Sequence, residues 1–361
     1  MAAGFHGAGG PGAPVRVLFA GSPGIAVPVL EALAAGGDCF ELAGVLTNPD
    51  SPRGRSGKPE PAEAGAAAAR ISAERLRRGR PPLGIVKAAR LDAEVRREIT
   101  ALGADLLVSF AYGRIFGPEF LACFPLGGIN IHPSLLPKYR GATPIQAAIL
   151  HRERKTGISI QRLAAEMDSG DILAQECFPL GGRETAGSLS EIVAARAVPL
   201  LLATLRGLAG GTIRGRPQNH GEATFCRPLA KGEGRIDWGQ DAADIDARIR
   251  AFDPWPRCWT LHKDRALYIL EALPAGDLAC TGDGSNEPAA DAGDATDTGS
   301  GEPCVSSEPG RVLGVDKRRG ILVQTGDGAL IVTRLQYQAK KALDWRAFLN
   351  GARNFAGARL V

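Results

Sequence analysis

The sequence predicts a doubly wound α/β domain followed by a small β-barrel, and three observations carry that expectation. A short apolar run at residues 15–20 (VRVLFA) ends in Gly21-Ser22-Pro23-Gly24 and leads into a helical pattern that closes at Gly36-Gly37, the strand, turn and helix that open an α/β sheet. Further apolar runs then alternate with helical stretches through roughly the first 200 residues, as in a doubly wound sheet. From about residue 212 the pattern changes to shorter β-like runs separated by turn residues, the grammar of a barrel or sandwich.

In the first segment, residues 41–47 (ELAGVLT) read as a second strand and 62–78 as a helix. Residues 105–110 (DLLVSF) show no alternation, which suits a parallel strand buried on both faces. Residues 128–132 form the next strand. Thr143 is placed to cap a helix with Pro144 at its first position, running until Lys155-Thr156-Gly157, and 158–163 is a further strand. The expected division is a flexible N-terminal tail at 1–14, an α/β domain at 15–211, a linker at 212–230 and a barrel domain at 231–361. Within the barrel, strands fall at 267–270, 311–315, 321–325 and 330–335, and Gly326-Asp327-Gly328 marks a hairpin turn because glycine supplies the positive φ that tight turns need. Residues 271–308 hold nine acids, no Lys or Arg and no aromatic residue, so they read as a disordered acidic insertion in a surface loop.

At 361 residues, 44% hydrophobic and 23% charged, the chain has room for about two domains with cores of their own. A disordered chain and a disulfide-stapled miniprotein are excluded. The net charge of +4 hides a partition: residues 311–361 carry ten bases against three acids, while 271–308 carry nine acids alone. The seven cysteines, at 39, 123, 177, 226, 258, 280 and 304, form no CxxC pair and none sits near a histidine at zinc-ligand spacing, so no metal site is expected. The first Arg follows a Gly/Pro-rich stretch, the wrong order for a secretory signal, and no apolar run is expected to approach the ~18 residues of a membrane span. A soluble cytoplasmic protein is expected.

The segment 127–146, GGINIHPSLLPKYRGATPIQ, is the most informative. If 129–132 is a strand, Asn130 and His132 project from one face and the strand ends at Pro133. The C-terminal strand edge is where open α/β sheets bind ligands. Such a pair either merely caps the strand end or supplies an acid/base imidazole beside an oxyanion-donating carboxamide. Downstream, Met167-Asp168-Ser169-Gly170-Asp171 either forms a turn held by local Asp hydrogen bonds or brings Asp168 to orient His132 and stabilise its charged form. The loop 48–58, NPDSPRGRSGK, places Arg53, Arg55 and Lys58 among Gly, Ser and Pro. It is either solvated surface or a reach toward a phosphate backbone.

These residues together resemble the 10-formyltetrahydrofolate-dependent formyltransferases. GGINIHPSLLPKYRG is similar to the signature of that family, joined by the downstream DSGD segment and the preceding DLLVSFAYG. The resemblance implies Asn130, His132 and Asp168 as the catalytic set and Ser134, Leu135, Leu136 and Pro137 as a folate-side loop. It extends to the branch that formylates an aminoacylated initiator tRNA, through VRVLFAGSPGIAVPVLEAL, GRIDW, FDPWP and LQYQAKKALDWRAFLNG. That branch implies a Rossmann-like first domain, an OB-like C-terminal domain, 10-formyltetrahydrofolate as formyl donor, methionyl initiator tRNA as partner and a monomer. Arg53, Arg55, Lys58, Lys340 and Lys341 would then contact tRNA; for the C-terminal lysines the alternative is simple solvation of a helix and its flanks. Relatives that formylate nucleotide-linked amino sugars pair the same domain with a similar barrel, so domain count does not decide; the arginine loop and the FLNG ending favour tRNA. A non-catalytic tRNA- or folate-binding module is disfavoured by the presence of all three catalytic residues.

Overall fold

The computed structural model describes residues 13–52, 57–276, 308–352 and 354–361, in two units: residues up to 148 with 153–228, and 149–152 with 229–361. Residues 1–12 of the expected tail, Arg53, Arg55 and most of the acidic segment lie outside the described residues.

The first unit contains β1 (Val15–Gly21), α1 (Val27–Ala35), β2 (Phe40–Thr47), β3 (Ser51–Pro52), β4 (Pro59–Glu60), α2 (Glu63–Arg77), β5 (Gly84–Lys87), α3 (Ala93–Ala101) and β6 (Leu106–Phe110). It continues with α4 (Pro118–Leu121), β7 (Gly128–His132), β8 (Arg140–Gly141), α5 (Pro144–Leu150), β9 (Lys155–Arg162), β10 (Ile172–Pro179), α6 (Ala186–Ala209) and β11 (Phe225–Cys226). Seven strands form one sheet in the order β10-β9-β7-β6-β1-β2-β5. The five from β7 to β5 run parallel, and β9 and β10 extend the sheet antiparallel. The chain winds outward from β1 through β2 to β5, then returns to β6 and β7 on the other side of β1. This reversal opens a crevice at the C-terminal strand ends.

Burial explains the runs. All five residues of β6 are buried, as a parallel strand covered by helices on both faces requires. Leu189, Val193, Ala197, Leu201, Leu205 and Leu208 of α6 are buried at helical spacing, and the helix packs on α1, β9 and β10. At 24 residues α6 is long and apolar enough to cross a membrane by length and composition, which corrects the expectation that no run approaches that length. Its buried stripe against the sheet is what a core helix shows.

In the second unit lie α7 (Ala242–Ala251), β12 (Cys258–His262), β13 (Arg265–Pro274), β14 (Val312–Asp316), β15 (Gly320–Gln324), β16 (Ala329–Tyr337), β17 (Leu343–Asp344) and α8 (Trp345–Gly351). The sheet runs β12-β13-β16-β15-β14, with β17 added on β16. Residues 357–361 join its two outer strands. Leu261 and Val361 exchange both backbone hydrogen bonds (2.8 and 3.1 Å) on the β12 side, while Val312 donates to Ala358 (2.9 Å) and Leu360 to Gly310 (2.8 Å) on the β14 side. The sheet therefore closes into the expected barrel, which removes its free edges.

Three expected boundaries are corrected. Residues 212–228 are not a bare linker: Arg216 exchanges backbone hydrogen bonds with Ile172 (2.8 and 2.9 Å), and β11 pairs in parallel with β8, so this segment belongs to the first unit. The polar Gly/Arg/Pro composition hides a pairing only two residues long. Residues 271–274 are not insertion but the end of β13, with Ala272 and Pro274 buried and Glu271 facing outward to Arg334 at 2.9 Å. The helix from Pro144 stops at Leu150, and Lys155 already belongs to β9.

Closure by residues 357–361 is testable through Leu360, which is 2% exposed. Leu360→Ala is expected to cost about 3 kcal/mol of stability, measured by urea denaturation, and removal of residues 358–361 more than that.

Candidate active site

Asn130 and His132 stand on the same face at the end of β7, as the two-residue repeat of a strand requires. On the neighbouring strand β9, Gln161 pairs with Asn130 and Ser159 with His132. Asp168 follows β9 in a turn with φ of 52°, a left-handed conformation that aspartate adopts more readily than most residues. The structure thus brings together all three residues expected to be catalytic.

The geometry assigns them different tasks. His132 is 3% exposed, and its Nε2 lies 2.8 Å from the Tyr139 carbonyl oxygen. A carbonyl only accepts, so Nε2 carries the hydrogen and Nδ1 is the nitrogen left to take up a proton. Asp168 Oδ2 lies 3.5 Å from Nδ1, close enough to stabilise an imidazolium. Asp168 is itself held: Oδ2 accepts from the Gly141 N–H at 2.8 Å, and Oδ1 from Gln161 Nε2 at 2.7 Å. Asn130 Nδ2 approaches Oδ1 only to 3.5 Å, a long contact that leaves this amide able to donate elsewhere.

Two of these partners come from the β8–β11 ribbon, which delivers the Tyr139 carbonyl and the Gly141 N–H to the site. Gly141 has φ of 114°, and a Cβ there would lie 2.2 Å from the Cys226 carbonyl oxygen. Only glycine fits. Burial pushes the Cys226 thiol pKa up, and the nearby Asp168 charge adds to the rise. Burial also raises the Tyr139 phenol, reinforced by its hydrogen bond to Glu153, so both groups are neutral near pH 7.

Behind Asp168 lies a buried network absent from the sequence reading. Gln218, 6% exposed, donates from Nε2 to the carbonyls of Asp168 (2.9 Å) and Gly170 (2.7 Å). Its Oε1 accepts from Nε and Nη2 of the buried Arg140 at 3.1 and 2.7 Å. Gln161 and Arg140 carried no signal, since a glutamine in a strand and an arginine in a loop usually face water. Gln218 was hidden inside the supposed linker.

A cavity of about 480 Å³ opens beside the three residues, walled by 109–116 from the end of β6 and by 161–168, with Asn130 and His132 at its base. Its aromatic and aliphatic wall includes Phe110, Tyr112, Ile115, Phe116 and Leu163. Ser134, Leu135, Leu136 and Pro137, the expected folate-side loop, follow β7 directly and lie outside the lining of this cavity. Ser134 Oγ donates to the Lys138 carbonyl at 2.6 Å, Ser159 Oγ donates to the Ser134 carbonyl at 2.7 Å, and Gln175 holds the Leu136 carbonyl at 2.9 Å. The loop is internally tied, and it turns the chain so that Tyr139 and Gly141 return over His132.

Lys58 is exposed beside β4, on the two-stranded ribbon β3–β4 whose connection contains Arg53 and Arg55. Lys340 and Lys341 are exposed in the second unit, between β16 and β17. Among the described residues no group of three or more His, Cys, Asp or Glu gathers as a metal site.

A carboxamide, an imidazole and a carboxylate beside a cavity at the C-terminal sheet edge are the equipment of acyl-type transfer. The chain belongs to the formyl transferase family: residues 15–205 match its formyl transferase domain and 228–353 its C-terminal domain. Among its relatives, the methionyl-tRNA formyltransferase of Treponema denticola is 42% identical over 341 residues, covering 94% of this chain and 98% of that one. That of Roseiflexus castenholzii is 36% identical over 349 residues, covering 96% and 99%. Solved structures share the fold. HypX from Aquifex aeolicus, in complex with tetrahydrofolic acid, superposes with a TM-score of 0.57 at 17% identity over 95% of this chain, which spans about half of HypX (48%). An N-formyltransferase from Helicobacter canadensis gives 0.56 at 17% identity, covering 90% of this chain and 99% of that one.

Gly141→Ala is expected to lower stability by about 1–3 kcal/mol, through left-handed strain and the clash with Cys226, and to cut turnover because the N–H on Asp168 moves. Parallel denaturation and rate measurements check both.

Proposed function

We propose that this chain transfers the formyl group of 10-formyltetrahydrofolate to the α-amino group of methionine esterified to initiator tRNA. One observation carries the reading: Asn130, His132 and Asp168 converge on the 480 Å³ cavity of a chain that matches methionyl-tRNA formyltransferases over nearly its whole length. The cavity volume falls in the range of small-molecule sites, about 300–1,000 Å³, and its aromatic and aliphatic lining suits a pterin ring.

The reaction joins the amine nitrogen to the formyl carbon and breaks the bond from that carbon to the folate nitrogen. An α-amino group titrates near pH ~8, so a useful neutral fraction attacks at pH 7. Asn130 donates its amide hydrogen to the oxyanion of the tetrahedral intermediate, a contribution of about 3 kcal/mol where comparable donors have been removed. His132 takes the proton of the attacking amine on Nδ1 and returns it to the departing folate nitrogen. Asp168 stabilises the imidazolium between these transfers. Because Gly141 and Gln161 already hold Asp168, little reorganisation is needed when charge develops.

The ten bases against three acids in 311–361, with Lys340 and Lys341 exposed, suit phosphate contacts along an acceptor stem. Arg53, Arg55 and Lys58 add a second basic element in the 48–58 segment of the sequence. All three catalytic residues come from one chain, which supports a monomer as the working unit. The five cysteines in the described residues are free, in keeping with a reducing cytoplasm.

Purified protein is expected to formylate methionyl initiator tRNA from 10-formyltetrahydrofolate; transfer only to a free amino sugar would overturn the tRNA reading. Asn130→Ala and His132→Ala should each lower kcat by about 10²-fold or more with the melting temperature nearly unchanged. For Arg55→Ala, steady-state kinetics should show a raised KM for tRNA with the KM for folate unaltered.

A further inference from the structure

We infer that Gln218 is a positioning residue for the reaction, setting the backbone of the Asp168 turn so that its carboxylate faces His132. The inference rests on the formyl-transfer reading above. Gln218 does not line the cavity, so its effect passes through Asp168.

The chemistry of its two ends singles out glutamine. The amide nitrogen faces three acceptors: the carbonyls of Asp168 (2.9 Å) and Gly170 (2.7 Å) and Gln161 Oε1 (3.3 Å). Its oxygen faces only the Arg140 guanidinium, through two donors. Donors on one side and acceptors on the other fix which way the amide points. A carboxylate would satisfy Arg140 but present an oxygen to the carbonyls of Asp168 and Gly170. An apolar side chain of equal length would leave both carbonyls and the guanidinium without this partner, at the cost of unmet buried polar groups.

The clamp acts where the turn has least freedom. Asp168 sits at φ of 52°, and Gly170 is packed so closely that a Cβ would lie 2.0 Å from the Arg162 carbonyl oxygen. By holding the carbonyls on both sides of Ser169, Gln218 fixes the direction in which the Asp168 side chain leaves the backbone. Gln161 and the Gly141 N–H then fix its tip. Gln161 is held from the same point, since its Oε1 accepts from Gln218 while its Nε2 donates to Asp168 Oδ1. Arg140 anchors the arrangement from the β8–β11 ribbon, the element that also carries the Gly141 N–H.

The test compares Gln218→Met and Gln218→Glu in the wild-type and the Asp168→Asn backgrounds, using the full chain. In the wild-type background kcat is expected to fall about 10-fold to 100-fold, the scale of a misplacement of about 1 Å, with both KM values within about twofold. In the Asp168→Asn background the same substitutions should cost less than about twofold, because their target is already lost. A substrate-free readout accompanies the rates: the His132 ring resonances should move in Gln218→Met in the same direction as in Asp168→Asn. Equal losses in both backgrounds would reduce Gln218 to general packing and overturn the inference. Wild-type rates in folded variants, or unmoved His132 resonances, would overturn it too. If Gln218→Met does not fold, Gln218→Glu, which keeps the partner of Arg140, gives the same readings. Failure of the wild-type chain to formylate methionyl-tRNA would strike the functional reading alone, since the resonance comparison still reports on Gln218.

Discussion

A carboxylate only 12% exposed, facing a buried imidazole across 3.5 Å, is the constraint around which the first unit is arranged. Removing such a charge from water is costly unless hydrogen bonds replace the lost hydration. Asp168 receives them from Gly141 and Gln161, and its backbone is gripped by Gln218. Each of these partners requires something larger of the fold. Gly141 can approach only because it has no Cβ and because β8 pairs with β11. Gln161 needs β9 to run antiparallel to β7 so that it falls opposite Asn130. Gln218 needs the chain after α6 to turn back along the sheet edge rather than leave for the barrel.

The same constraint explains why five parallel strands are followed by two antiparallel ones. The parallel part sets the crevice at the reversal between β1 and β6, where any ligand of this architecture sits. The antiparallel extension adds a wall beyond β7 whose side chains meet those of β7 in register. A further parallel strand would need a long crossover, and the short turn holding Asp168 could not follow directly from it.

Much of this was legible in the sequence, for physical reasons that differ by residue. Asn130 and His132 could be read because a strand repeats every two residues and Pro133 marks its end. Asp168 stood out in a segment rich in turn formers. The alternation of apolar runs with helical patterns gave the α/β order, and a glycine-flanked turn gave the β15–β16 hairpin. Gln161, Gln218 and Arg140 were not legible: the Arg140 to Gln218 bond joins residues 78 positions apart, and nothing local distinguishes a buried glutamine from a solvated one. Residues 212–228 read as a linker because their sheet contacts are one bridge and one two-residue strand. Strand β12 escaped notice beside the proline-rich FDPWP, and closure of the barrel by residues 357–361 depends on pairings that a short terminal run does not announce. For Ser134, Leu135, Leu136 and Pro137 the motif marked the loop but not the hydrogen bonds from Ser159 and Gln175 that hold its backbone.

The bond from His132 Nε2 to the Tyr139 carbonyl reaches beyond choosing a tautomer. It also fixes which way the ring faces. Turned over about its Cβ–Cγ bond, the imidazole would present Cε1 to that carbonyl and Cδ2 to Asp168, losing both contacts at once. A single backbone carbonyl, seven residues along the chain, thus holds the orientation of the ring as well as the place of its hydrogen.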